Sequence, residues 1–479
     1  MRFRDDLLWT IGGAVVGIPV LLVAARHPIL GLASFGGVLL LLLMSVGNTA
    51  RPGAALLILG LVMSTWNAVR VAGFTASDPV LVIGLLLILI GGARIGGTER
   101  RQLPRWVFIA PAGFTVVWAI GLALPPSESY IGRRYNPAIY GIVGGAGNSS
   151  TSNLIRIWLA MAIIPAAVAI AANWADLRPR RLADAWVLSA VVSGFVALTD
   201  RFGLTRIEPR LLGTVLNLSG RSTGLTVTAN HLAVSAVLAL PLALSWTGRG
   251  TPRWRLAGTA ASLLLLTAVV LSGSAGGAVT AIFVLGVSYV YQPALRRNAS
   301  KAAFALVLAV ATLLGPLNQL LVAFVGNNRL DRSASSGTLA SNLDRMRLGE
   351  QAWRDFYYRP LQGSGLTYIA SGHRVFLQLL AASGLIGLIG MTVWVAKALR
   401  AGVSVARASS DTDDRDVAGA AVISLAAFVL IGLVENQIVD RYLYITVGLI
   451  LAVQMRAAIG QTGEQQTAPA KSQLACSEV

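Results

Sequence analysis

Apolar segments separated by short polar ones dominate the pattern along this chain of 479 residues. Each apolar segment is roughly 18–25 residues long, enough for a helix to cross a hydrocarbon layer about 30 Å thick. Backbone groups inside lipid must bond within their own segment, so these segments are predicted to be helices. The predicted spans are 7–25, 29–47, 53–73, 79–97, 106–125, 154–174, 182–200, 224–246, 256–273, 275–292, 302–325, 375–399, 416–434 and 442–459.

This pattern predicts an all-α fold, a polytopic transmembrane helical bundle of about 12–14 spans. We expect a single transmembrane domain over 1–459, with a long extracytoplasmic loop at 326–374 before a C-terminal group of spans. The first apolar segment is interpreted as a span, because no small-residue cleavage site and soluble domain follow it. The segment 460–479 is rich in Gln, Thr and Ala, and is predicted to be a disordered cytoplasmic tail.

Composition excludes a water-soluble domain of this length. Charged residues make up 13 % of the chain, against about 25 % in a soluble domain, and the mean hydropathy is +0.68. The net charge of +18 does not indicate nucleic-acid binding, because the basic residues lie in short loops between apolar segments. That placement is typical of a topology signal and of contact with anionic membrane lipids.

The alternation of the loops gives the expected orientation. With the N-terminus in the cytoplasm, every predicted inner loop from Arg94 onward is short and basic, as the positive-inside rule requires. All three lysines of the chain also fall on the predicted inner side: they are Lys301, Lys397 and Lys471. The protein is therefore expected to cross the cytoplasmic (inner) membrane many times, with both termini in the cytoplasm.

Three predicted outer loops, at about 126–153, 201–223 and 326–374, carry basic residues against this bias. All of these residues are arginines, whose planar guanidinium binds phosphate in a bidentate manner and stays charged at any working pH. Codon usage or pairing with a nearby carboxylate explains the presence of any one of these arginines. The presence of the whole group favours an anionic ligand at the outer face. The arginines are Arg133, Arg134, Arg201, Arg206, Arg210, Arg221, Arg329, Arg332, Arg345, Arg347, Arg354, Arg359 and Arg374.

His373 stands where the longest outer loop meets a predicted span, among these arginines. A histidine has an ordinary pKa of about 6.5, so its imidazole is a natural general base at neutral pH. A histidine at the end of a span also often does no more than reach the membrane surface, and from the residues alone both interpretations stay open. His231 lies within the predicted span 224–246 and is expected to be a hydrogen-bonded packing residue, and His27 to be a solvated turn residue.

Four segments resemble motifs of the O-antigen ligase and O-antigen polymerase superfamily. His373 and Arg374 precede nine residues and then Gly384 and Gly387, as the family's histidine precedes its Gly-x-x-Gly. Arg345 stands where the family carries an arginine in its long outer loop. The other three matching segments are RSTGLTVTANHLA at 221–233, LSGSAGG at 271–277 and RPLQGSGL at 359–366.

The resemblance covers about residues 210–400 and marks the chain as a divergent member. Arg374 replaces the small polar residue that usually follows the histidine. Ala275 replaces the arginine of the family's Ser-Arg-Gly turn, and Ala229 stands where the family often has proline before Asn230. Arg374 is expected to compensate for the arginine missing at Ala275.

The resemblance implies an enzyme of the cell envelope, a glycosyltransferase that depends on a polyprenyl-pyrophosphate donor. Such proteins transfer a glycan to an acceptor hydroxyl at the outer face of the membrane, with inversion and without a metal or other cofactor. It implies His373 as the catalytic general base and Arg221 and Arg345 as pyrophosphate-binding residues, with Arg374 as a third. The implied partners are the lipid-linked donor, a glycan or glycolipid acceptor and membrane lipids, but no nucleic acid.

Three alternatives stay open at this point. A polymerase that joins lipid-linked polysaccharide repeats uses the same donor chemistry as a ligase and differs in its acceptor. A transporter or flippase of lipid-linked sugars belongs to another class. Transporters usually place polar or charged residues near the middle of the bilayer, and the predicted spans are almost free of them, which argues against ion-coupled transport. The last alternative is a purely structural membrane protein, and only the long outer loops argue against it.

Overall fold

The computed structural model describes residues 50–71, 74–94, 103–131, 150–175, 177–212, 221–292, 336–367, 374–435, 438 and 440–457. Over these ranges the chain is a bundle of helices, which confirms the predicted all-α polytopic class. One hairpin of two-residue strands, Arg70–Val71 and Phe74–Thr75, pairs antiparallel between the first two helices. The predicted spans 7–25, 29–47 and 302–325 lie outside the described residues, as do His27 and the predicted tail 460–479.

The described helices are numbered here in chain order. In the first half they are α1 (Ala50–Val62), α2 (Ser77–Arg94), α3 (Ile109–Ala123), α4 (Glu128–Ile131), α5 (Ser150–Trp158), α6 (Ile164–Trp174), α7 (Pro179–Arg201) and α8 (Ile207–Leu212). In the second half they are α9 (Ala229–Ser245), α10 (Pro252–Ser272), α11 (Ala275–Tyr291), α12 (Ser336–Tyr358), α13 (Val375–Ala408), α14 (Thr412–Ile431) and α15 (445–457). A π-helical turn, Leu159–Ile163, joins α5 to α6, and a 3₁₀ turn, Arg105–Phe108, precedes α3.

Six described helical segments are long and apolar enough to cross a membrane. They are Arg105–Ala123, Ser150–Trp174, Pro179–Arg201, Ala229–Gly248, Pro252–Ser272 and Val375–Ala408. Three shorter apolar helices accompany them among the described residues: Ala50–Val62, Ser77–Gly91 and Ala275–Tyr291. The protein is therefore a polytopic membrane protein, while the total of 12–14 spans stays a prediction.

Sequence-encoded caps fix where several helices begin. Thr228 accepts the backbone N–H of His231 at the start of α9, and Ser274 accepts that of Gly277 at the start of α11. Pro179 and Pro252 occupy the first turns of α7 and α10, where their missing N–H groups cost nothing. The turn between α10 and α11 consists of Gly273, with φ +57°, followed by the Ser274 cap.

Helix α9 forms the centre of the bundle, where α7, α10, α11 and α14 surround it. Every residue from Leu232 to Leu244 is buried, so this helix is apolar on all sides rather than on one face. By contrast, α10 and α11 expose large apolar side chains such as Leu256, Val279 and Ile282. Such an apolar outer surface is what a helix presents to lipid.

Two ends of the bundle are named here by a residue at each. The Asn230 end contains the start of α9, the start of α13 and the end of α14. The Arg249 end contains the start of α7 and the loop after α9, joined where Trp246 donates a 2.7 Å hydrogen bond to Asp184 and Arg249 forms an ion pair with the same carboxylate. In the predicted orientation, the Asn230 end is on the extracytoplasmic side of the membrane.

Helix α13 contains one break in its backbone. Gly384 has φ +60° and ψ −156°, a conformation open essentially to glycine alone, so α13 changes direction there. Beyond the break the helix continues to Ala408, nine residues past the predicted limit of the span at 399. The basic residues Arg400 and Arg407 lie in these additional turns, beyond the apolar segment.

Candidate functional site

Arg221 lies at the Asn230 end, where two of the motif-bearing segments meet. Its Nε donates a 2.5 Å hydrogen bond to the carbonyl oxygen of Ser272, and its Nη2 donates a 2.6 Å hydrogen bond to Oδ1 of Asn230. The backbone N–H of Ser222 also donates to the carbonyl of Leu271. The segments 221–233 and 271–277 are therefore in direct contact, and the planar fork of the arginine is held by two elements at once.

Glu435 extends this arrangement to the end of α14. The Nδ2 of Asn230 donates a 2.9 Å hydrogen bond to Oε2 of Glu435, a carboxylate that is 8 % exposed. Three residues earlier, the carbonyl of Gly432 accepts a 2.7 Å hydrogen bond from the backbone N–H of Val375. A chain of direct contacts therefore runs from Arg221 to the first residue of α13. We call Arg221, Asn230, Ser272 and Glu435 the Arg221 cluster.

The other two motif-bearing segments also form one unit. At the break in α13, the loop 360–366 takes over backbone hydrogen bonds that a regular helix would make internally: Leu385 N–H donates to Pro360, and Leu366 N–H donates to Ala382. A Cβ on Gly384 would lie 2.5 Å from the carbonyl oxygen of Pro360, closer than any real side chain approaches. The loop motif and the Gly-x-x-Gly motif thus require each other sterically.

Leu366, at the end of this loop, is fully buried with φ +65°. A branched residue in this region is strained, at a cost of about 1–3 kcal/mol that the surrounding contacts must offset. Asn153 of α5 donates a 2.9 Å hydrogen bond to the Leu366 carbonyl, and Gly121 of α3 packs on the neighbouring Gly365. The loop is therefore clamped between α3, α5 and the break in α13.

His231 is the third residue of α9, beside Asn230, rather than deep within a span. Oδ1 of Asn67 accepts the backbone N–H of Val227 at 2.8 Å, which turns its Nδ2 towards Nδ1 of His231 at 2.7 Å. Because Nδ1 then accepts, the ring proton sits on Nε2, which faces Oδ2 of Asp440 at 3.4 Å. Both ring nitrogens have partners, so this histidine joins three segments and is not available as a base.

The structure describes the remaining predicted site residues to different extents. His373 lies outside the described residues. Arg345 is in α12, but its side chain is outside them as well. Arg374 precedes α13 with an extended backbone and an exposed side chain. The contacts thus bring Arg221 and the start of α13 to the same end of the bundle, and the meeting of all four predicted residues stays a prediction.

Two other arginines of the predicted outer loops, Arg359 and Arg354, have partners within the fold. Both Nη atoms of Arg359 donate to backbone carbonyls of Leu124 and Pro125, which ties the loop after α12 to the end of α3. Arg354 and Glu350 form an exposed pair on one face of α12 at 3.9 Å. An exposed pair of this kind contributes about 0.3–0.5 kcal/mol at most. The expectation that individual arginines have structural partners therefore holds for these positions.

Two carboxylates connect α7 and α8 to the segment that follows Arg221. Asp200 accepts the backbone N–H groups of Ile207 and Glu208, which caps the short helix α8. Oε1 of Glu208 in turn accepts the N–H groups of Thr223 and Gly224, at 3.2 and 2.7 Å. Burial raises the pKa of Glu208 to about 7, opposed by these two hydrogen bonds and assisted by the neighbouring charge of Asp200.

Sequence reasoning missed Glu435, Asn67 and Asp440 as members of the site. Glu435 and Asp440 are visible in the sequence only as carboxylates near a predicted span end. Asn67 precedes the hairpin and carries no motif. All three residues contact partners that are more than 150 positions away in the chain. Residue spacing within one segment does not reveal such contacts.

Comparison with known proteins adds no relationship: no protein-family model matches the chain, and no curated protein matches it.

Proposed function

We propose that this protein transfers a glycan from a polyprenyl-pyrophosphate donor to an acceptor hydroxyl at the outer face of the cytoplasmic membrane. The observation that carries the proposal is the Arg221 cluster. It joins the two earlier motif segments by direct hydrogen bonds and continues through Glu435 and Gly432 to Val375, two residues after His373. The segments 221–233 and 271–277 and the start of α13 therefore lie at one end of the bundle, which supports the proposal.

The proposed reaction requires positive charge beside the pyrophosphate leaving group. As the bond between the anomeric carbon and the pyrophosphate oxygen breaks, its electron pair passes to that oxygen, and negative charge grows on the leaving group. A guanidinium that is already oriented stabilises this charge without having to reorganise. Arg221 is oriented by Ser272 and Asn230. In this proposal Arg345 and Arg374 supply further charge, and membrane lipids surround the prenyl chain.

The acceptor hydroxyl must lose a proton as its oxygen attacks the anomeric carbon. His373 is proposed to accept this proton as the new bond forms, so that a single displacement inverts the anomeric configuration. His231 is a poor alternative base, because Asn67 and Asp440 occupy both of its ring nitrogens. No metal or other cofactor takes part in the proposed step.

Charge distribution supports the proposed orientation. The Arg249 end carries a dense set of basic residues beside the apolar helices, as cytoplasmic loops do. These residues are Arg178, Arg180, Arg181, Arg249, Arg253, Arg255, Lys397, Arg400 and Arg407. Several of them pair locally, as Arg180 does with Asp413. The Asn230 end is then extracytoplasmic, where lipid-linked glycans await transfer in this proposal.

The decisive experiment uses the purified full chain with a polyprenyl-pyrophosphate glycan in detergent or vesicles. Acceptor-dependent release of polyprenyl pyrophosphate is expected, with the glycan recovered on the acceptor. A product lengthened by repeats, with the donor itself serving as acceptor, would make the enzyme a polymerase within the same chemistry. Passage of intact donor across the vesicle membrane without release would overturn the proposal in favour of a transporter.

A further inference from the structure

A cavity at the Arg249 end lies at the opposite end of α13 from the Arg221 cluster. Its volume is about 370 Å³, within the range of small-molecule sites. One wall is a face of α13, a second is α15 and the third is the turn before α3. The residues that the argument uses are Lys397, Arg400, Trp106 and Gln454.

Lys397 and Arg400 stand three positions apart, on the same face of α13. Both side chains are exposed, and over the described ranges neither forms an ion pair with a carboxylate. Other basic residues at this end are paired, as Arg249 is with Asp184 and Arg456 with Asp414. The cavity therefore presents two positive charges that the described part of the protein leaves uncompensated.

Lys397 and Arg400 lie at the depth expected for the surface of the membrane. Lys397 is the first charged residue of α13, 22 residues after Val375, which at 1.5 Å per residue is about 33 Å measured along the two parts of the helix on either side of Gly384. That length matches the hydrocarbon layer. Trp106 is half-buried at the same level and packs edge-on against Trp394, with ring centroids 6.3 Å apart. Tryptophan is enriched at this boundary of a bilayer.

A stripe of exposed apolar side chains leads along α13 to Lys397. Leu385, Ile389 and Val393 follow one another at four-residue spacing, each more than a third exposed, and Lys397 is the next member of the series. An acyl chain lying on this stripe would bring its headgroup to the two basic residues. Gln454 also lines the cavity, and its Oε1 is buried without a hydrogen-bond partner among the described residues, so rotation of the amide would offer this acceptor to a hydroxyl donor.

We propose that this cavity binds the headgroup of an anionic phospholipid with free hydroxyls, of the phosphatidylglycerol type, in the leaflet at the Arg249 end. Lys397 and Arg400 bind the phosphate, Gln454 accepts a headgroup hydroxyl, and the stripe on α13 contacts an acyl chain. This site is independent of the proposed glycan transfer, because it involves none of the residues assigned to that reaction.

The test measures lipid binding to the purified full chain by native mass spectrometry and by thermal stabilisation, with phosphatidylglycerol, phosphatidylcholine and inorganic phosphate as separate probes. Phosphatidylglycerol is expected to bind and stabilise, and the other two to do so much less. The double variant Lys397→Gln/Arg400→Gln should bind it about 25-fold less tightly, at about fivefold for each charge removed. The control Arg253→Gln/Arg255→Gln removes two exposed charges at the same end of the bundle, outside the cavity.

Equal losses in the two double variants would overturn the proposal, since they would mean that general surface charge attracts the lipid. Equal binding of inorganic phosphate would also overturn it, by making this a site for a free anion. The absence of any preference for phosphatidylglycerol in the full chain would exclude a lipid as occupant, as expected if the segment after Ala457 fills the cavity instead. The melting temperature of each variant without added lipid checks that it is folded.

Discussion

The backbone N–H of Val375 donates a 2.7 Å hydrogen bond to the carbonyl oxygen of Gly432. This bond ties the start of α13 to the end of α14, and the side chain of Val375 packs on Gly432 as well. Glu435, three residues after Gly432, accepts a hydrogen bond from the Asn230 side chain, which in turn accepts one from Arg221. The chain segment that carries the predicted base is thereby attached to the segment that carries the predicted pyrophosphate ligand.

Replacing His373 by alanine is expected to abolish glycan transfer, because no side chain then accepts the proton of the attacking hydroxyl. Loss of a general base typically lowers the rate by about 10²–10⁴-fold. Release of polyprenyl pyrophosphate by purified protein measures the effect, with expression and membrane insertion as folding checks. His27→Ala is the matched control and should retain full activity. Unimpaired transfer in His373→Ala would show that another group is the base.

Replacing Arg221 by lysine keeps the charge but removes the planar fork that reaches Ser272 and Asn230 together. An ammonium group cannot keep this geometry, so donor binding should weaken roughly tenfold or more. Equilibrium binding of a lipid-linked donor to purified protein measures the change. The exposed Arg206 at the same end of the bundle provides the control Arg206→Lys, which should bind like the wild type. Unchanged affinity in Arg221→Lys would remove Arg221 from the pyrophosphate site.

Replacing Gly384 by alanine should destabilise the protein severely. The new Cβ would collide with the backbone of Pro360 and Leu361 while the residue is held at φ +60°, so we expect a loss of about 3 kcal/mol or more. Thermal unfolding in detergent measures this loss. Gly419→Ala in α14 has open space around its Cβ and should be neutral or stabilising, by up to about 1 kcal/mol. A well-folded Gly384→Ala variant would mean that the loop 360–366 does not pack at the break in α13.

Glu208 should make the stability of the protein depend on pH. Its pKa is raised to about 7 in the folded protein from an ordinary 4.5, so the folded state holds a proton that the unfolded state releases. The free energy of unfolding should therefore fall as pH rises from 4.5 to 7, by at most about 1.4 kcal/mol per pH unit, and level off above that.

The variant Glu208→Gln tests this dependence, because glutamine keeps the oxygen that accepts the N–H groups of Thr223 and Gly224 but has no proton to lose. Melting temperatures between pH 5 and 8 should decline less in the variant than in the wild type. Glu128→Gln, which changes an exposed carboxylate at the same end, should follow the wild type. Parallel curves for Glu208→Gln and the wild type would contradict the assignment.

The sequence by itself determined the class of this protein. Apolar segments of membrane-spanning length identify helices, because lipid leaves a backbone no other way to satisfy its hydrogen bonds, and proline and glycine mark several of their ends. The apolar pattern does not give the ends of the helices. For α13 the apolar pattern ends near 399, but the helix continues to Ala408, since basic side chains beyond the lipid are as compatible with helix as the apolar ones before them.

The tertiary structure decided which polar residues meet. The motif segments could be picked out one by one, but the partnership of Arg221 with Ser272, of Asn230 with Glu435, and of His231 with Asn67 and Asp440 joins positions far apart in the chain. Hydrophobic patterning specifies that a helix lies in the membrane but not which of its neighbours it contacts. That choice depends on the packing of side chains on all sides of α9, which brings the Asn230 end of the bundle together.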